Sequence, residues 1–559
     1  MTVAEVLADA FYGEGVRDVF TLMGDGNKMW LLAMAALPGV RLIHTRHEGA
    51  ALAMADGYSR ARQATDGALG VCAVTYGPGV TQLSTSLMVA AKHGTPLVVF
   101  AADVPDEARD SASHLDFDER ALLQASGACV REVRDPAHGA DDVHLAFHQA
   151  RTEQRPVVLL AGIYLQQRSA LRHNGIAQPS RITVPAQAIG PDENAVDAAV
   201  AVLARSCRPL ILVGRGAVLA GAREEAGALA TDLGAPVATT FLAKGWMDMH
   251  PHTVGIAGGF ALDQTRHLLN QADCVLAAGA QLNDHTTDRG RLFPDAHIIQ
   301  VDIRPHALVG QRIPADVYVR ADARVGLARI TEALRSAGVP STGWAESVLA
   351  AGITDARVAQ IDHAPVEVEP GTVDPRRLMM ALDRALPDNA LIVIGGGHHM
   401  GFAAQYLMNP AERGFEMVFD FMTTGQAVPE AIGAALARPD RPVIALEGDA
   451  SFMMHVQELE TAARNDIPLL VIVMNDGALG AEYHRLRAEG HDPTEAISPT
   501  PDLAALSIAL GGSGSRITSL DQVNRMARTW GARSAPAGIS GPHVVDCAIS
   551  RLVVGPDTS

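Results

Sequence analysis

The pattern of apolar and polar positions between residues 442 and 476 predicts a β-strand, an α-helix and a second β-strand. The first apolar run, 442–446, has the length of a strand and stops just before Gly448. A second apolar run covers 469–474. We expect a βαβ unit whose two strands are parallel and buried on both faces. The helix between them is indicated by apolar residues at steps of three and four, namely Phe452, Val456, Leu459 and Ala463.

Asp449 lies just past the end of the first predicted strand, and Asp476 lies just past the end of the second. Ligands of open α/β sheets bind beyond the carboxyl ends of the strands, so both carboxylates are expected at one edge. Together with the small residue Gly448 they suit a hard cation such as Mg²⁺ that carries a diphosphate. The alternative interpretation is two solvated acids that cap a helix and a turn.

The same alternation of apolar runs and amphipathic segments extends along the chain and predicts three doubly wound α/β domains with parallel sheets. We place these domains at 1–167, 191–345 and 372–553. Residues 168–190 and 350–371 lose the periodicity and are interpreted as linkers. Predicted strands outside the opening unit include 19–22, 40–44, 71–75, 96–101, 210–213, 236–239, 274–278 and 297–301.

Composition narrows the class of protein without naming a reaction. The chain has 559 residues, 48% of them apolar, and a net charge of −18, which argues against a nucleic acid or an anionic membrane as partner. A phosphate-bearing ligand would then need local positive charge, which a divalent cation supplies. We expect a cytoplasmic protein, because the N-terminus lacks a signal-peptide pattern and the five cysteines are scattered: Cys72, Cys129, Cys207, Cys274 and Cys547.

A second informative stretch begins at His44 and reads HTRHEGAALAMADGY. Glu48 lies in it between a predicted strand and the start of a predicted helix, 48–62. Taken alone, an acid at this position is most simply a first-turn residue favoured by the helix dipole.

Both stretches resemble thiamine diphosphate-dependent enzymes. That family carries Gly-Asp-Gly or Gly-Asp-Ala followed after a fixed gap by an Asn pair, and this chain has GDA at 448–450 and ND at 475–476. The string around Glu48 is similar to the one that surrounds the family's activating glutamate. The resemblance covers the whole chain and is closest to the group of acetolactate synthases, pyruvate and indolepyruvate decarboxylases and 2-hydroxyacyl-CoA lyases. It implies a pyrimidine-binding, a central and a diphosphate-binding domain, in that order.

The resemblance assigns the metal site to Asp449, Asp476 and the backbone carbonyl of Ala478. Asp476 departs from the usual Asn, keeps an oxygen ligand and adds a negative charge. The resemblance assigns activation of the cofactor to Glu48, which would hydrogen-bond the aminopyrimidine ring and favour its imino tautomer. Sharing a proton in this way calls for an apolar pocket that raises the pKa of the glutamate.

Further cofactor contacts are carried over from the same resemblance. Met422 would accept a hydrogen bond from the 4'-amino group through its carbonyl oxygen. Thr424 stands where the family usually has a bulky aliphatic residue that bends the cofactor. The remaining expected contacts are Gly77, Gly397, His398, His399, Gly448, Ala450 and Ser451.

Two acids bear on the type of reaction. Asp25 and Glu482 lie where decarboxylase-like members carry acids, and an acid of raised pKa could protonate the carbanion left by carbon dioxide. The alternatives are a turn residue beside Gly26 and a solvated helix face. His285 stands near the position of an arginine that binds the second 2-oxo acid in acetolactate synthases, and a neutral imidazole holds a carboxylate less well.

These patterns lead to one expectation with two alternatives. The expectation is a homodimer or homotetramer, with its active site between subunits, that uses thiamine diphosphate and Mg²⁺ to decarboxylate a 2-oxo acid and protonate or ligate the intermediate. A 2-hydroxyacyl-CoA lyase with a nucleotide on the central domain is the first alternative, and a non-catalytic cofactor-binding member is the second. FAD or ADP could bind at Gly214–Gly216, which we interpret as a structural turn.

Overall fold

The chain forms three α/β domains in the computed structural model. The described residues are 1–63, 65–104, 114–115, 117–170, 179–180, 188–304, 312–349, 352–409, 413–533 and 541–556. Within these ranges lie three six-stranded sheets, in which neighbouring strands are parallel. Most strand residues are buried, as parallel sheets covered by helices on both faces require. The predicted fold class is therefore confirmed.

The first domain begins with a helix that is stabilised by a capping box between Thr2 and Glu5. Its strands are β1 (Asp18–Thr21), β2 (Arg41–His44), β3 (Gly70–Val74), β4 (Leu97–Asp103), β5 (Cys129–Val133) and β6 (Pro156–Gly162), in the spatial order β2-β1-β3-β4-β6-β5. Its helices are α1 (Val3–Gly13), α2 (Lys28–Ala35), α3 (Glu48–Gln63), α4 (Pro78–Thr81), α5 (Ser84–His93), α6 (Glu119–Ala125), α7 (Gly139–Glu153) and α8 (Ile163–Gln167).

The central domain repeats the doubly wound arrangement. Its strands are β7 (Pro209–Val213), β8 (Val237–Thr239), β9 (Thr253–Ile256), β10 (Cys274–Ala278), β11 (His297–Asp302) and β12 (Val317–Arg320), in the order β12-β11-β10-β7-β8-β9. Its helices are α9 (Glu193–Leu203), α10 (Arg215–Leu219), α11 (Arg223–Leu233), α12 (Asp263–Leu269), α13 (Ala323–Ser336) and α14 (Trp344–Val348).

The glycine turn of the central domain is packed against the end of β10. The N–H groups of Gly214 and Gly216 donate to the carbonyl oxygens of Ala278 and Gly279, at 2.9 and 2.8 Å. A β-carbon on Gly214 would lie 2.3 Å from the oxygen of Gly279, so only glycine allows this approach. These contacts agree with the interpretation of 214–216 as a structural turn.

The third domain contains the βαβ unit predicted between residues 442 and 476. Its strands are β13 (Leu391–Ile394), β14 (Gly414–Met417), β15 (Val443–Gly448), β16 (Leu469–Asn475), β17 (Ser513–Ile517) and β18 (Pro542–Ala548), in the order β14-β13-β15-β16-β18-β17. Helices α15 (Gly352–His363) and α16 (Pro375–Ala385) precede the sheet, and the others are α17 (His398–Tyr406), α18 (Ala427–Ala437), α19 (Asp449–Met454), α20 (Glu458–Arg464), α21 (Gly480–Ala488), α22 (Leu503–Ala509) and α23 (Leu520–Arg533).

Two local predictions differ from the structure. The single helix expected between β15 and β16 is two helices, α19 and α20, because His455 leaves helical geometry at φ −132° and its Nδ1 lies 2.6 Å from the carbonyl oxygen of Gly425. The tract 350–371, predicted as a linker, contains the helix α15. In the other predicted linker, 171–178 and 181–187 lie outside the described residues.

The first and third domains share one hydrophobic core. One continuous cluster joins Phe20, Leu52 and Val74 of the first domain to Val393 and Ile432 of the third. The contact is made largely by α3 and α18, whose small residues let the two helices approach closely. The helix that begins at Glu48 is therefore held by the third domain as well as by its own sheet.

A buried charged cluster lies within this helix contact. Arg60 of α3 donates two hydrogen bonds to Asp56, of 2.7 and 2.8 Å, and its Nη1 lies 3.6 Å from Glu430 of α18. All three side chains are 1% exposed. Burial is the main cause that raises the pKa of Glu430 well above its usual value.

No helix among the described residues is both long and apolar enough to cross a membrane.

Candidate active site

Asp449 and Asp476 lie together at the carboxyl edge of the third sheet. Strands β15 and β16 are parallel neighbours, with Gly448 opposite Met474, so the residues that follow them are brought side by side. The N–H of Gly477 donates to Asp449 at 3.2 Å, and the N–H of Ala478 donates to Asp476 at 3.0 Å. The two side chains are thus oriented by the backbone of the same loop.

The charge balance of this pair favours a cation. Asp449 and Asp476 are buried, and burial together with the charge of Asp476 raises the pKa of Asp449 to about 7. Among the described residues no three His, Cys, Asp or Glu side chains form a complete metal cluster. If the two carboxylates and the carbonyl oxygen of Ala478 bound a hard cation, water and phosphate oxygens would occupy its remaining coordination positions. Mg²⁺ is commonly bound in this way.

A glycine turn leads from β13 into α17 beside this pair. Gly397 has φ 141°, and a β-carbon on Gly396 would lie 2.3 Å from the carbonyl oxygen of Thr423. The turn therefore brings backbone N–H groups at the start of α17 close to the carboxyl edge, an arrangement suited to phosphate. Ser451 donates to the oxygen of Gly396 at 3.3 Å and links the turn to α19.

His398 and His399, the first two residues of α17, follow this turn and are buried. His398 accepts from the N–H of Gly555 at 2.8 Å through Nε2, and its Nδ1 lies 3.6 Å from an oxygen of Asp476. Burial, with the nearby His398, lowers the pKa of His399 to about 4. A β-carbon on Gly480 would lie 2.6 Å from Asp476 and 2.7 Å from His398 Nδ1, so a glycine is needed there to keep both groups in place.

The turn that carries Met422 and Thr424 has a strained backbone. Phe421 and Met422 have φ of 63° and 53°, in the left-handed region where each non-glycine residue costs about 1 to 3 kcal/mol. Their side chains are exposed, as is that of Met454, whose sulfur accepts from the Thr424 hydroxyl at 3.3 Å. Large apolar side chains of the third domain are thus exposed at this turn, where a cofactor or a partner surface could cover them.

Glu48 is the first residue of α3 and is half-buried. Burial, and then the charge of Glu48, raises the pKa of the Cys72 thiol, so the carboxylate lies near that buried strand. A β-carbon on Gly79 would lie 3.8 Å from Glu48 Oε1. The role of Glu48 as activator of the cofactor stays a prediction.

The loop at Gly77 approaches the same end of the first sheet. Gly77 has φ 66° and donates its N–H to Glu119 at 2.6 Å. Glu119 is buried and lies in α6, 42 residues further along the chain. Glu119 could not be identified from the sequence, since nothing near Gly77 indicates its partner.

The segment before Glu48 is bound by the third domain of the same chain. The N–H of Arg46 donates to Glu458 at 3.0 Å, and the rings of His47 and His455 pack edge to face at 5.7 Å. Burial raises the pKa of Glu458 to about 7. These contacts were also missed, because they join residues more than 400 positions apart.

The two acids proposed for proton transfer are exposed in this chain. Asp25 pairs with Lys28, and Glu482 accepts from Arg485 at 2.8 Å. Neither lies in an apolar environment formed by this chain alone. His285 packs its ring against Phe419 at 4.9 Å, at the contact between the central and third domains. The roles of Asp25 and Glu482 stay predictions.

Comparison with known families covers most of the chain. Three thiamine pyrophosphate enzyme models match it: the N-terminal TPP binding domain over residues 1–124, the central domain over 196–330 and the C-terminal TPP binding domain over 395–546. These three ranges include Glu48, the Gly214–Gly216 turn and the Asp449–Asp476 pair respectively.

Individual relatives agree with the family models. The acetolactate synthase large subunit of Parasynechococcus marenigrum is 31% identical over 93% of this chain and 84% of the relative. The probable acetolactate synthase large subunit of Methanocaldococcus jannaschii is 28% identical over 94% and 88%. A sulfoacetaldehyde acetyltransferase of Rhodobacter capsulatus is 29% identical over 85% and 82%. The chain therefore belongs to the thiamine pyrophosphate enzyme family and is a thiamine diphosphate-dependent enzyme.

Proposed function

We propose that this protein is an acetolactate synthase-like decarboxylase and carboligase that acts on 2-oxo acids with thiamine diphosphate and Mg²⁺. The observation that carries the proposal is the buried pair Asp449 and Asp476 at the carboxyl edge of the third sheet, beside a glycine turn. Acetolactate synthases at 28 to 31% identity over nearly the whole chain support the substrate class.

In this proposal the residues of the third domain hold the diphosphate end of the cofactor. Asp449, Asp476 and the carbonyl of Ala478 would bind Mg²⁺, and the turn at Gly397 would bind the phosphate oxygens. His398 and His399 are predicted contacts of the same group, and the low pKa of His399 keeps it neutral at pH 7. Gly448, Ala450 and Ser451 would line this end of the site.

The reacting end of the cofactor would be held by residues of both domains. Thiamine diphosphate, when bound, supplies a carbon nucleophile that also accepts the electron pair of the bond beside a carbonyl. Glu48 would hold a proton against the aminopyrimidine ring, and Met422 would accept from its 4'-amino group through the carbonyl oxygen. Gly77 and Thr424 would contact the ring system. Asp25 and Glu482 are the proposed proton donors after decarboxylation.

Assembly is part of the proposal. The family resemblance implies a homodimer or homotetramer in which Glu48 of one subunit faces the metal pair of another. The exposed apolar side chains of Phe421, Met422 and Met454 at the metal-binding edge support burial by a partner surface. The same burial would move Asp25 and Glu482 out of solvent.

The 2-hydroxyacyl-CoA lyase alternative includes a nucleotide on the central domain, and the glycine turn at 214–216 gives this nucleotide no support. The N–H groups of Gly214 and Gly216 already donate to backbone carbonyls, so this turn offers them to no phosphate. FAD or ADP elsewhere on the central domain remains part of that alternative, and a yellow purified protein would support FAD.

The test is carbon dioxide release from a panel of 2-oxo acids, with and without thiamine diphosphate and Mg²⁺. We expect release only with both cofactors, with acetolactate formed from pyruvate, and a loss of about 10²- to 10⁴-fold in kcat for Glu48→Gln. Full activity without the cofactor, or in Glu48→Gln, would refute the mechanism. Activity on an acyl-CoA alone would favour the 2-hydroxyacyl-CoA lyase alternative. Activity on sulfoacetaldehyde alone would show that 2-oxo acids are not the substrates.

A further inference from the structure

The turn that carries Met422 is anchored by the first domain of its own chain. Nδ1 of His93, the last residue of α5, lies 2.5 Å from a carboxylate oxygen of Asp420. Asp420 immediately precedes the left-handed residues Phe421 and Met422. The ammonium group of Lys92 also lies 5.8 Å from the centre of the Phe421 ring. Two consecutive residues at the end of one helix therefore contact this turn.

The anchor is buried and involves all three domains. The His93 and Asp420 side chains are 5% and 14% exposed. Arg215 of the central domain donates to the backbone oxygen of His93. Although burial acts to raise the pKa of Asp420, His93 and the charges of Arg60 and Arg215 lower it to about 2. Asp420 is thus a carboxylate at neutral pH and accepts a hydrogen bond from the imidazole Nδ1–H.

We propose that His93 is a positioning residue that fixes the Met422 carbonyl oxygen through its hydrogen bond to Asp420. A left-handed Phe421–Met422 backbone persists only where neighbouring groups hold it, and this hydrogen bond is made by the residue immediately before it. The inference rests on the proposed contact between the Met422 carbonyl and the 4'-amino group of the cofactor. It adds that the first domain shapes the cofactor site of its own chain through His93, while Glu48 faces the site of another subunit.

The test uses a pair of cofactors that differ at the 4' position. Thiamine diphosphate donates a 4'-amino hydrogen to a carbonyl, whereas its 4'-oxo analogue presents a second oxygen that repels it. Dissociation constants for both are measured by calorimetry with Mg²⁺ present. The ratio of the dissociation constant of the 4'-oxo analogue to that of thiamine diphosphate reports how well the Met422 oxygen is placed. A general loss of fold would change both constants alike and leave the ratio unchanged.

The variants distinguish the hydrogen bond that the His93 side chain donates to Asp420 from the other contacts of His93. His93→Ala removes the donor, and His93→Asn keeps an amide N–H close to the Nδ1 position. His93→Gln is a milder disruption, since it moves the amide one bond further out. None changes the contact from Arg215, which involves the backbone of His93. His144→Ala is the matched control, because His144 also pairs with a buried carboxylate of the first domain, Glu14, at 2.7 Å.

We expect the ratio to fall at least tenfold in His93→Ala and several-fold in His93→Gln, and to stay within threefold of wild type in His93→Asn and His144→Ala. An unchanged ratio in both His93→Ala and His93→Gln overturns the inference and leaves the proposed function standing. If His93→Ala fails to fold, His93→Gln and His93→Asn decide it, since equal ratios in those two overturn it. A wild-type protein that binds neither compound overturns the proposed function and the inference with it.

Discussion

The carbonyl oxygen of Met54 lies 1.8 Å from the position that a β-carbon on Gly433 would occupy. A similar restriction holds in the opposite direction, where a β-carbon on Gly57 would lie 2.1 Å from the oxygen of Glu430. Helices α3 and α18 are therefore in backbone contact at two glycines, and this contact joins the first domain to the third.

Gly433→Ala should separate the two helices. A methyl group cannot enter a backbone contact without moving a helix, so we expect a loss of about 1 to 3 kcal/mol or more in the free energy of unfolding. Urea denaturation measures it. Gly13→Ala is the control, because Gly13 ends α1 with nothing within 4 Å of a β-carbon, and it should change stability by less than about 1 kcal/mol. Equal effects of the two substitutions would contradict this account of the helix contact.

Arg60→Met should be strongly destabilising. It leaves the buried carboxylates of Asp56 and Glu430 without their cation, and removal of one partner of a buried ion pair typically costs about 3 to 5 kcal/mol. Arg62→Met, on the same helix, removes a partner from the more exposed Asp66 and should cost less than about 1 kcal/mol. Thermal unfolding of both variants compares them directly, and a small effect at Arg60 would show that the cluster is not energetically important.

Acid should destabilise the wild type more than His93→Asn. Burial, with the charges of Arg215 and Arg60, lowers the pKa of His93 to about 4 against the opposing effect of Asp420. Between that value and the unfolded pKa of about 6.5 the unfolded chain binds the extra proton, so stability falls as the pH falls. The advantage of wild type over the variant should shrink by up to about 3 kcal/mol between pH 7 and pH 4. A difference that is constant with pH would refute the low pKa.

Asp476→Asn should have opposite effects on the apo-protein and on cation binding. Without a cation the two buried carboxylates repel each other, so the variant should have the higher Tm in a chelating buffer. With one negative charge fewer, the concentration of Mg²⁺ for half-saturation should rise about tenfold. Asp295→Asn, at an exposed turn of the central domain, serves as the control and should change neither quantity. A lower apo Tm in Asp476→Asn would contradict the repulsion.

The sequence predicted features that depend on neighbouring strands or short motifs. Asp449 and Asp476 could be placed together, since parallel strands end at one edge of a sheet and each acid follows an apolar run. Glu48 was singled out through the string around it, and its role stays a prediction. The break at His455 could not be seen, because its cause is a carbonyl 30 residues away, at Gly425.

Contacts between domains were beyond prediction from local pattern. The apolar and small residues of α3 indicate a buried helix without indicating what covers it. The pairing of Arg60 with Glu430, and of Arg46 with Glu458, follows only once α3 is known to pack on the third domain. The proximity of residues in neighbouring strands could therefore be predicted, whereas contacts between distant segments could not.

The core shared by the first and third domains has a consequence for biosynthesis. The chain segment that leaves the ribosome first contains Leu52 and Val74, and the side chains that cover them, such as Ile432, are translated several hundred residues later. At a translation rate of about 5 to 20 residues per second, the apolar face of α3 stays exposed for tens of seconds before the third domain is synthesised. Nascent chains stalled within the central domain should consequently be bound by chaperones that recognise exposed apolar segments.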